Sequence, residues 1–267
     1  MKASSSKRSP WVYAVLILML GALILFSVGP LLSSLWSSGT KPADVPNPQA
    51  ERLASQALGY QLVIEREPEN VNAWEGLLET RLQQGDLTAA IAPLERLAQL
   101  KPQKLEYTLL LAQTKEQLKD YEGAANLYRG MLQQYPWDVH ILKGLTDLFL
   151  GQNRPTEAIN TVQNAIDQVL KAKTQTPGEN LNSQLVALQL LLGEVYLQQK
   201  QDDQAIALYE TISQANPTDF RPVLAQALVR QKQGQTDTSA PLFQQALTLA
   251  PVQYKDTIKK LSLGQKP

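Results

Sequence analysis

Prolines recur in this chain at a constant interval, and that interval sets the size of its building block. Pro68, Pro102 and Pro136 lie 34 residues apart, and Pro217 and Pro251 repeat the spacing further along the chain. A proline cannot donate to the helical ladder and disfavours α geometry in the residue before it, so each one predicts a helix end. Self-similarity at a period of about 20–50 residues is typical of repeat arrays. The chain is therefore expected to be a series of similar units.

The segments between these prolines share small and large apolar residues at matching positions. In one unit, Tyr121 is followed at helical spacing by Ala124 and Tyr128, and Pro136 closes the unit. Such a helical face combines one small residue with large ones. The residues that carry this pattern along the chain, and that we predict pack the repeats together, are Trp74, Leu77, Ala90, Pro102, Ala112, Tyr121, Ala124, Tyr128, Pro136, Ala158, Gly193, Tyr196, Ala205, Tyr209, Pro217, Ala246 and Pro251.

This pattern resembles the W-x2-L-G-x2-Y…A-x3-F…P signature of tetratricopeptide repeats, whose period is also 34 residues. The resemblance covers about residues 71–253 and implies an all-α fold. It implies an α-solenoid of about five helix-turn-helix repeats with a capping helix at each end. In such repeats the small residues lie where the two antiparallel helices of a unit come close. Tyr121, Tyr128 and Tyr209 are then expected to fill the space beside them and to pack on the next unit.

The predicted organisation divides the chain into ten segments, of which the third repeat is the least regular. It is longer than the others, so we expect an extended second helix and an insertion over 171–185, either a surface loop or an added binding edge. Pro93 is expected to kink its helix unless that helix starts late. The segments are a basic tail (1–10), a transmembrane anchor (11–32), a linker (33–46), an N-terminal half-repeat or capping helix (47–70), five repeats (71–104, 105–138, 139–185, 186–219 and 220–253) and a C-terminal capping helix and tail (254–267).

The anchor is predicted because residues 11–32 contain no charged side chain. About 20 apolar residues suffice to cross a bilayer as a helix. A cleaved signal peptide is the alternative, but the run exceeds the roughly 7–15 residues of such a peptide and no A-x-A-like site follows it. Lys2, Lys7 and Arg8 precede the run. The positive-inside bias then predicts a single-pass protein with a cytoplasmic N-terminus and its repeats on the opposite, periplasmic or lumenal, side.

Composition and motifs exclude several functions. The sequence contains 25 basic and 25 acidic residues and no cysteine. Zero net charge argues against a nucleic-acid binder, which needs a basic face for phosphates. Without cysteine there are no disulfides, no thiolate catalysis and no cysteine zinc sites. The one histidine, His140, has no H-x-x-x-H partner and no cysteine nearby, and it is interpreted as a surface or packing residue. No phosphate loop or nucleophile elbow is present. We therefore expect no enzyme activity and no cofactor or metal.

In tetratricopeptide repeats the stacked first helices line a concave groove that binds a peptide or a partner helix. The resemblance implies a groove whose acidic N-terminal half favours a partner with a basic or amide-rich segment; the alternative is that these charges form only a solvated face. Glu75 and Glu79 stand where some family members carry a basic clamp for C-terminal carboxylates, so that clamp is missing. The predicted groove residues are Glu75, Glu79, Glu106, Gln113, Glu116, His140, Lys143, Asp147, Leu190 and Glu194.

These features together predict a membrane-tethered protein–protein interaction scaffold. Its expected task is to assist assembly of a membrane or exported protein complex. Its layout and glutamine-rich helices are similar to those of anchored tetratricopeptide proteins of cyanobacteria and plastids, some of which assist the assembly of photosynthetic complexes. The alternatives are a self-associating structural protein, an accessory subunit of a membrane enzyme and, least compatible with the charge, an RNA-binding array.

Overall fold

Helices α1 to α12 make up the ordered array. The computed structural model describes residues 48–176 and 181–265, and it contains no β-strand over those ranges. This confirms the predicted all-α class. The helices are α1 Pro48–Arg66, α2 Val71–Gln83, α3 Leu87–Leu100, α4 Leu105–Gln117, α5 Tyr121–Gln134, α6 Val139–Gly151, α7 Pro155–Gln175, α8 Asn182–Gln198, α9 Asp202–Ala215, α10 Phe220–Lys232, α11 Thr236–Leu249 and α12 Val252–Ser262.

The predicted tail, anchor and linker (1–10, 11–32 and 33–46) lie outside the described residues. Residues 177–180 of the predicted insertion also lie outside them. Among the helices that are described, none is both long and apolar enough to cross a membrane.

Local sequence sets the helix boundaries. Five of the described helices start after a side chain that accepts a hydrogen bond from a backbone N–H of the first turn, which satisfies donors that a helix start leaves unpaired. The turn between the two helices of each unit contains one residue in the left-handed region. That residue is glycine, which adopts positive φ freely, in only two of the five units. The capping residues are Asn70, Asp86, Asp120, Asp138 and Asp219. The left-handed residues are Gly85, Lys119, Asn153, Lys200 and Gly234.

The helices stack in chain order, and residues 49–267 form one compact unit. Each helix from α2 onward packs on the next one. Three pairs of alternate helices also contact one another, α4 with α6, α6 with α8, and α10 with the terminal α12. We call the face formed by the first helices of the units, α2, α4, α6, α8 and α10, the inner face.

The small residues of the repeat pattern are enclosed by their neighbours, with Ala90, Ala112, Ala124, Ala158 and Ala205 each 0% exposed. Each therefore lies at a crossing that admits only a methyl group. Glycines mark even closer approaches between helices. A Cβ on Gly144 would lie 2.5 Å from the ring of Tyr128, and a Cβ on Gly193 would lie within 2.5 Å of Cζ of Tyr209. The closest approach at Gly193 is thus to a tyrosine ring of its own unit, and at Gly144 to a ring of the preceding unit.

The packing predicted for Tyr121 is wrong. Tyr121 is the first residue of α5 and remains 39% exposed, because no neighbour covers that helix end. It does not fill the space beside the small residues as Tyr128 does.

Pro93 is buried inside α3, where the carbonyl of Ala89 loses its usual amide partner. The extra length of the third unit enters as seven additional residues in α7 relative to α5 (21 against 14) and as an early start of α8 at Asn182.

Replacing Ala124 with leucine is expected to lower the free energy of unfolding by about 1–3 kcal/mol, because the added atoms overpack a fully enclosed crossing. Gly130→Ala on the same helix is the matched control. A Cβ there meets nothing within 4 Å, and the better helix propensity of alanine adds up to about 1 kcal/mol. Urea unfolding followed by far-UV circular dichroism measures both. Equal midpoints for the Ala124→Leu variant and the native chain would show that the crossing is not close-packed.

Candidate partner-binding face

The predicted groove residues all lie on the inner face. Glu75 and Glu79 are on α2, three residues on α4, three on α6 and two on α8. None of the ten is fully buried. Side chains that are exposed or partly exposed on the surface of a repeat array are free to contact a partner. The residues on α4, α6 and α8 are Glu106, Gln113, Glu116, His140, Lys143, Asp147, Leu190 and Glu194.

Lys143 joins two helices of the inner face. Its ammonium donates to Oε2 of Glu194 on α8 at 3.1 Å and lies 3.4 Å from Oδ2 of Asp147 on its own helix. Asp147 also accepts a hydrogen bond from Nε2 of Gln198 at 3.3 Å. Although burial opposes the charge of Lys143, the two carboxylates raise its pKa above the usual value. The lysine therefore stays protonated and balances two acidic groups from neighbouring units.

Glu116 on α4 lies close to Asp147 on α6 without such a balance. Burial, and then the negative charge of Asp147, raise the pKa of the Glu116 carboxyl. Among the described residues, no cation pairs with Glu116, and the neighbouring Lys115 instead pairs with Asp120 at 3.0 Å. The inner face thus holds one half-buried carboxylate, Glu116, that no cation of the described residues neutralises.

Three buried tyrosines near these carboxylates have raised pKa values. Burial, followed by the charges of Glu116 and Asp147, raises the pKa of Tyr128 to about 12. Burial and the charge of Glu194 likewise raise the pKa of Tyr209. At the N-terminal end, burial raises the pKa of Tyr107, and so does the hydrogen bond that its hydroxyl donates from α4 to Glu75 on α2. All three phenols are therefore neutral at physiological pH.

Among the described residues, the other predicted groove residues make no hydrogen bond with the side chains discussed above. Glu79 accepts a hydrogen bond from Gln83 on its own helix at 3.2 Å. The side chains of Gln113 and His140 are exposed, and Leu190 packs partly against the apolar cluster around Tyr209. Glu106 contributes only through its charge, which acts on Tyr107.

Sequence reasoning missed two residues that hydrogen-bond with the predicted groove residues, Tyr107 and Gln198. A tyrosine such as Tyr107 could be interpreted only as an apolar packing residue, since the repeat pattern does not tell which way the hydroxyl of its ring points. Gln198 is 51 residues from its partner Asp147. The irregular third unit interrupts the 34-residue spacing between them, so the repeat period does not predict that Gln198 and Asp147 are in contact.

A second concavity lies away from the inner face, between α5, α6 and α7. It is a cleft of about 240 Å³ with Leu142, Leu145 and Phe149 among its lining residues and Arg129 and Gln168 among its polar ones. Its lining contains no carboxylate and no histidine. Over the described parts of the chain, no group of three or more histidine, aspartate or glutamate side chains is arranged to hold a metal ion.

Comparison with known proteins identifies the repeats. Three family models, each described as tetratricopeptide repeat, match residues 47–104, 117–173 and 187–219. A curated relative, the Beta-barrel assembly-enhancing protease of Yersinia pestis, is 35% identical over 117 residues, or 43% of this chain. The chain spans only 21% of that relative's length.

Two solved structures are among those that match this chain at low sequence identity. Yeast Tom70 is 12% identical with a TM-score of 0.47, over 78% of this chain and 42% of that one. A thermophilic repeat protein of Thermus thermophilus is 19% identical with a TM-score of 0.40, over 70% of this chain and 94% of the other. The three family matches together span more than half of the sequence. This chain therefore belongs to the tetratricopeptide repeat family, whose repeats indicate a scaffold for protein–protein interaction.

Proposed function

We propose that this protein is a membrane-tethered scaffold whose inner face binds a peptide or helix of a partner protein. The observation that carries the proposal is the set of exposed or partly exposed carboxylates on the first two helices of the inner face, Glu75, Glu79, Glu106 and Glu116. A partner with basic or amide-rich residues complements such a surface. Complementary charge raises the association rate and selects the partner more than it raises affinity.

The assembly role is part of the same proposal. A relative named for enhancing β-barrel assembly matches 117 residues of this chain, which supports a task in the assembly of a membrane or exported complex. The protease activity in that name is not transferred, because the sequence offers no catalytic group of residues. The membrane anchor rests on the uncharged run at 11–32, and tethering there raises the effective concentration of the inner face for membrane partners.

Self-association is the second candidate, and one observation favours it. Helix α1 leaves Leu58 57% exposed and Leu62 49% exposed at the N-terminal end of the array. A capping helix usually presents a polar outer face. Sedimentation of the full-length chain in detergent over a wide concentration range tests this candidate. A mass that rises with concentration in the native chain, but not in a Leu58→Glu, Leu62→Glu variant, supports self-association.

Reversing two acidic charges of the inner face is expected to weaken partner binding. The Glu75→Lys, Glu79→Lys variant should lose about tenfold in affinity at low salt, since a few exposed charge contacts each contribute about 0.2–1 kcal/mol. The loss should shrink as salt screens the charges. The measurement is recovery of co-purifying proteins from detergent extracts, quantified by mass spectrometry at two salt concentrations.

The matched control is Glu95→Lys, which reverses an exposed charge on the second helix α3. Circular dichroism checks that both variants keep their helix content, because Glu75 also accepts the hydrogen bond of Tyr107. If the two variants recover the same partners in equal amounts, the inner face is not where the partner binds.

A further inference from the structure

We propose that α1 is a dimerisation helix whose outer face packs antiparallel against α1 of a second copy of this chain. This inference rests on the self-association candidate above, and it gives that candidate a surface, a partner helix and an orientation. It does not involve the inner face, to which α1 contributes no residue. The contact has two-fold symmetry, the commonest arrangement in homo-oligomers, in which both copies present the same surface.

The outer face of α1 carries leucines at positions where other second helices carry none. Leu53 and Ala57 are buried against the array. Leu58 and Leu62 lie roughly on the opposite side of the helix and are 57% and 49% exposed. Counted from the proline that closes each unit, the same two positions hold no large apolar residue in α3, α5, α9 and α11. The residues there are Ala92 and Arg96, Asn126 and Gly130, Ala207 and Thr211, and Pro241 and Gln245.

The residues of this outer face have the spacing of a helix–helix seam. Ser55, Leu58 and Leu62 are separated by three and four residues, so they follow one side of the helix. The hydroxyl of Ser55 is exposed, and it donates to the backbone carbonyl of Glu51 at 3.0 Å. A second helix can therefore cover this serine without leaving its proton unpaired. The face offers one small residue and two leucines to a partner helix.

Charges at the two ends of α1 set the orientation of the pair. Glu51 and Arg52 lie at the start of the helix and Glu65 and Arg66 at its end, all of them exposed. Within the described parts of the chain, none of the four takes part in an ion pair. In an antiparallel pair, Glu51 faces Arg66 of the second copy. Arg52 faces Glu65 of the second copy, and the two-fold axis repeats both contacts.

One register brings the charges and the apolar residues together. When Glu51 is opposite Arg66 of the second copy, Ser55 is opposite Leu62, so a small residue meets a large one. Leu58 then lies beside the two-fold axis. A parallel pair would instead set each charge against its own counterpart, and like charges across an interface repel. Charges that flank a helix seam select the orientation of the partner, and here they select the antiparallel one.

Exchanging charges between neighbouring residues tests this orientation without changing composition or net charge. One variant exchanges them at the helix start (Glu51→Arg, Arg52→Glu) and a second at the helix end (Glu65→Arg, Arg66→Glu). A third variant carries all four substitutions. Sedimentation velocity of the full-length chain in detergent micelles, over a wide concentration range, gives the dissociation constant of each dimer. Circular dichroism checks that every variant keeps its helix content.

The antiparallel pair predicts loss and then restoration. Each single exchange sets like charges against one another at all four contacts, so we expect the dissociation constant to rise at least about tenfold at low salt. The variant with both exchanges has opposite charges at every contact again and should return to within about threefold of the native chain. In a parallel pair, none of the exchanges would change the number of like-charge contacts.

The outcomes separate this inference from the candidate on which it rests. If the mass rises with concentration but the exchanges do not produce loss followed by restoration, the copies associate through another surface or orientation, and this inference is wrong. If the native chain stays monomeric in its micelle, as it would where lipid or another protein covers α1, the self-association candidate fails as well. Partner recovery through the inner face is measured separately and is unaffected by either result.

Discussion

Replacing Tyr128 with alanine is expected to lower the free energy of unfolding by about 3–5 kcal/mol, the cost of removing a large buried aromatic side chain. The ring lies in the largest apolar cluster and sits directly against Gly144 of the next unit. The loss therefore acts on the interface between two repeats as well as within one. Because stability in a repeat array is roughly a sum of units and interfaces, the helices around α5 and α6 should unfold at lower denaturant than the rest.

Tyr128→Phe is the matched control for this prediction. It keeps the ring and removes only a hydroxyl that has no partner among the described residues, so its stability should stay within about 1 kcal/mol of the native chain. Urea unfolding by circular dichroism, with hydrogen exchange to locate the weakened helices, separates the two variants. Equal losses for alanine and phenylalanine would mean that the hydroxyl, and not the packing of the ring, stabilises this interface.

Replacing Gly193 with leucine is expected to cost about 2–3 kcal/mol, the upper part of the range for overpacking in a close-packed core. Any Cβ at this position meets the Tyr209 ring, which is only 2% exposed and cannot move aside without losing its own contacts. The measurement is again urea unfolding, with the single variants Gly193→Leu and Tyr209→Leu and the double variant.

The double variant makes the test specific. Shrinking the side chain at 209 opens the space that leucine at 193 needs, so the combined loss should be at least about 1 kcal/mol smaller than the sum of the single losses. Additive losses would indicate that Gly193 is required for a reason other than the approach of Tyr209. The exposed Gly59, where a Cβ meets nothing within 4 Å, gives a control that should tolerate leucine.

The architecture could be predicted because its determinants are local and repeated. A proline that ends a helix, an aspartate that starts one and a small residue at a crossing act within a single unit. Their 34-residue recurrence then reveals the stack. Tyr121 shows where this reasoning fails. It shares a helical face with Tyr128, but it is the first residue of α5, and a periodic pattern does not tell which end of a face its neighbours leave uncovered.

For the candidate site, the sequence predicted which helices carry its residues but not which side chains contact one another. The register of the repeats assigned ten residues to the first helices, and all ten are there. Their partners were not predictable, because contacts such as Lys143 with Glu194 join residues 51 positions apart across the irregular third unit. The length of α7 and the early start of α8 set which residues face each other there. Sequence spacing alone does not give those lengths.

Site-specific photocrosslinking in living cells shows whether the partner binds at the inner face. Benzoylphenylalanine is placed at Gln113 on the inner face or at Gln133 on the second helix α5, both of them exposed. We expect a discrete crosslinked protein from position 113, lost in the Glu75→Lys, Glu79→Lys variant, and none from position 133. A crosslink from position 133 alone would contradict it.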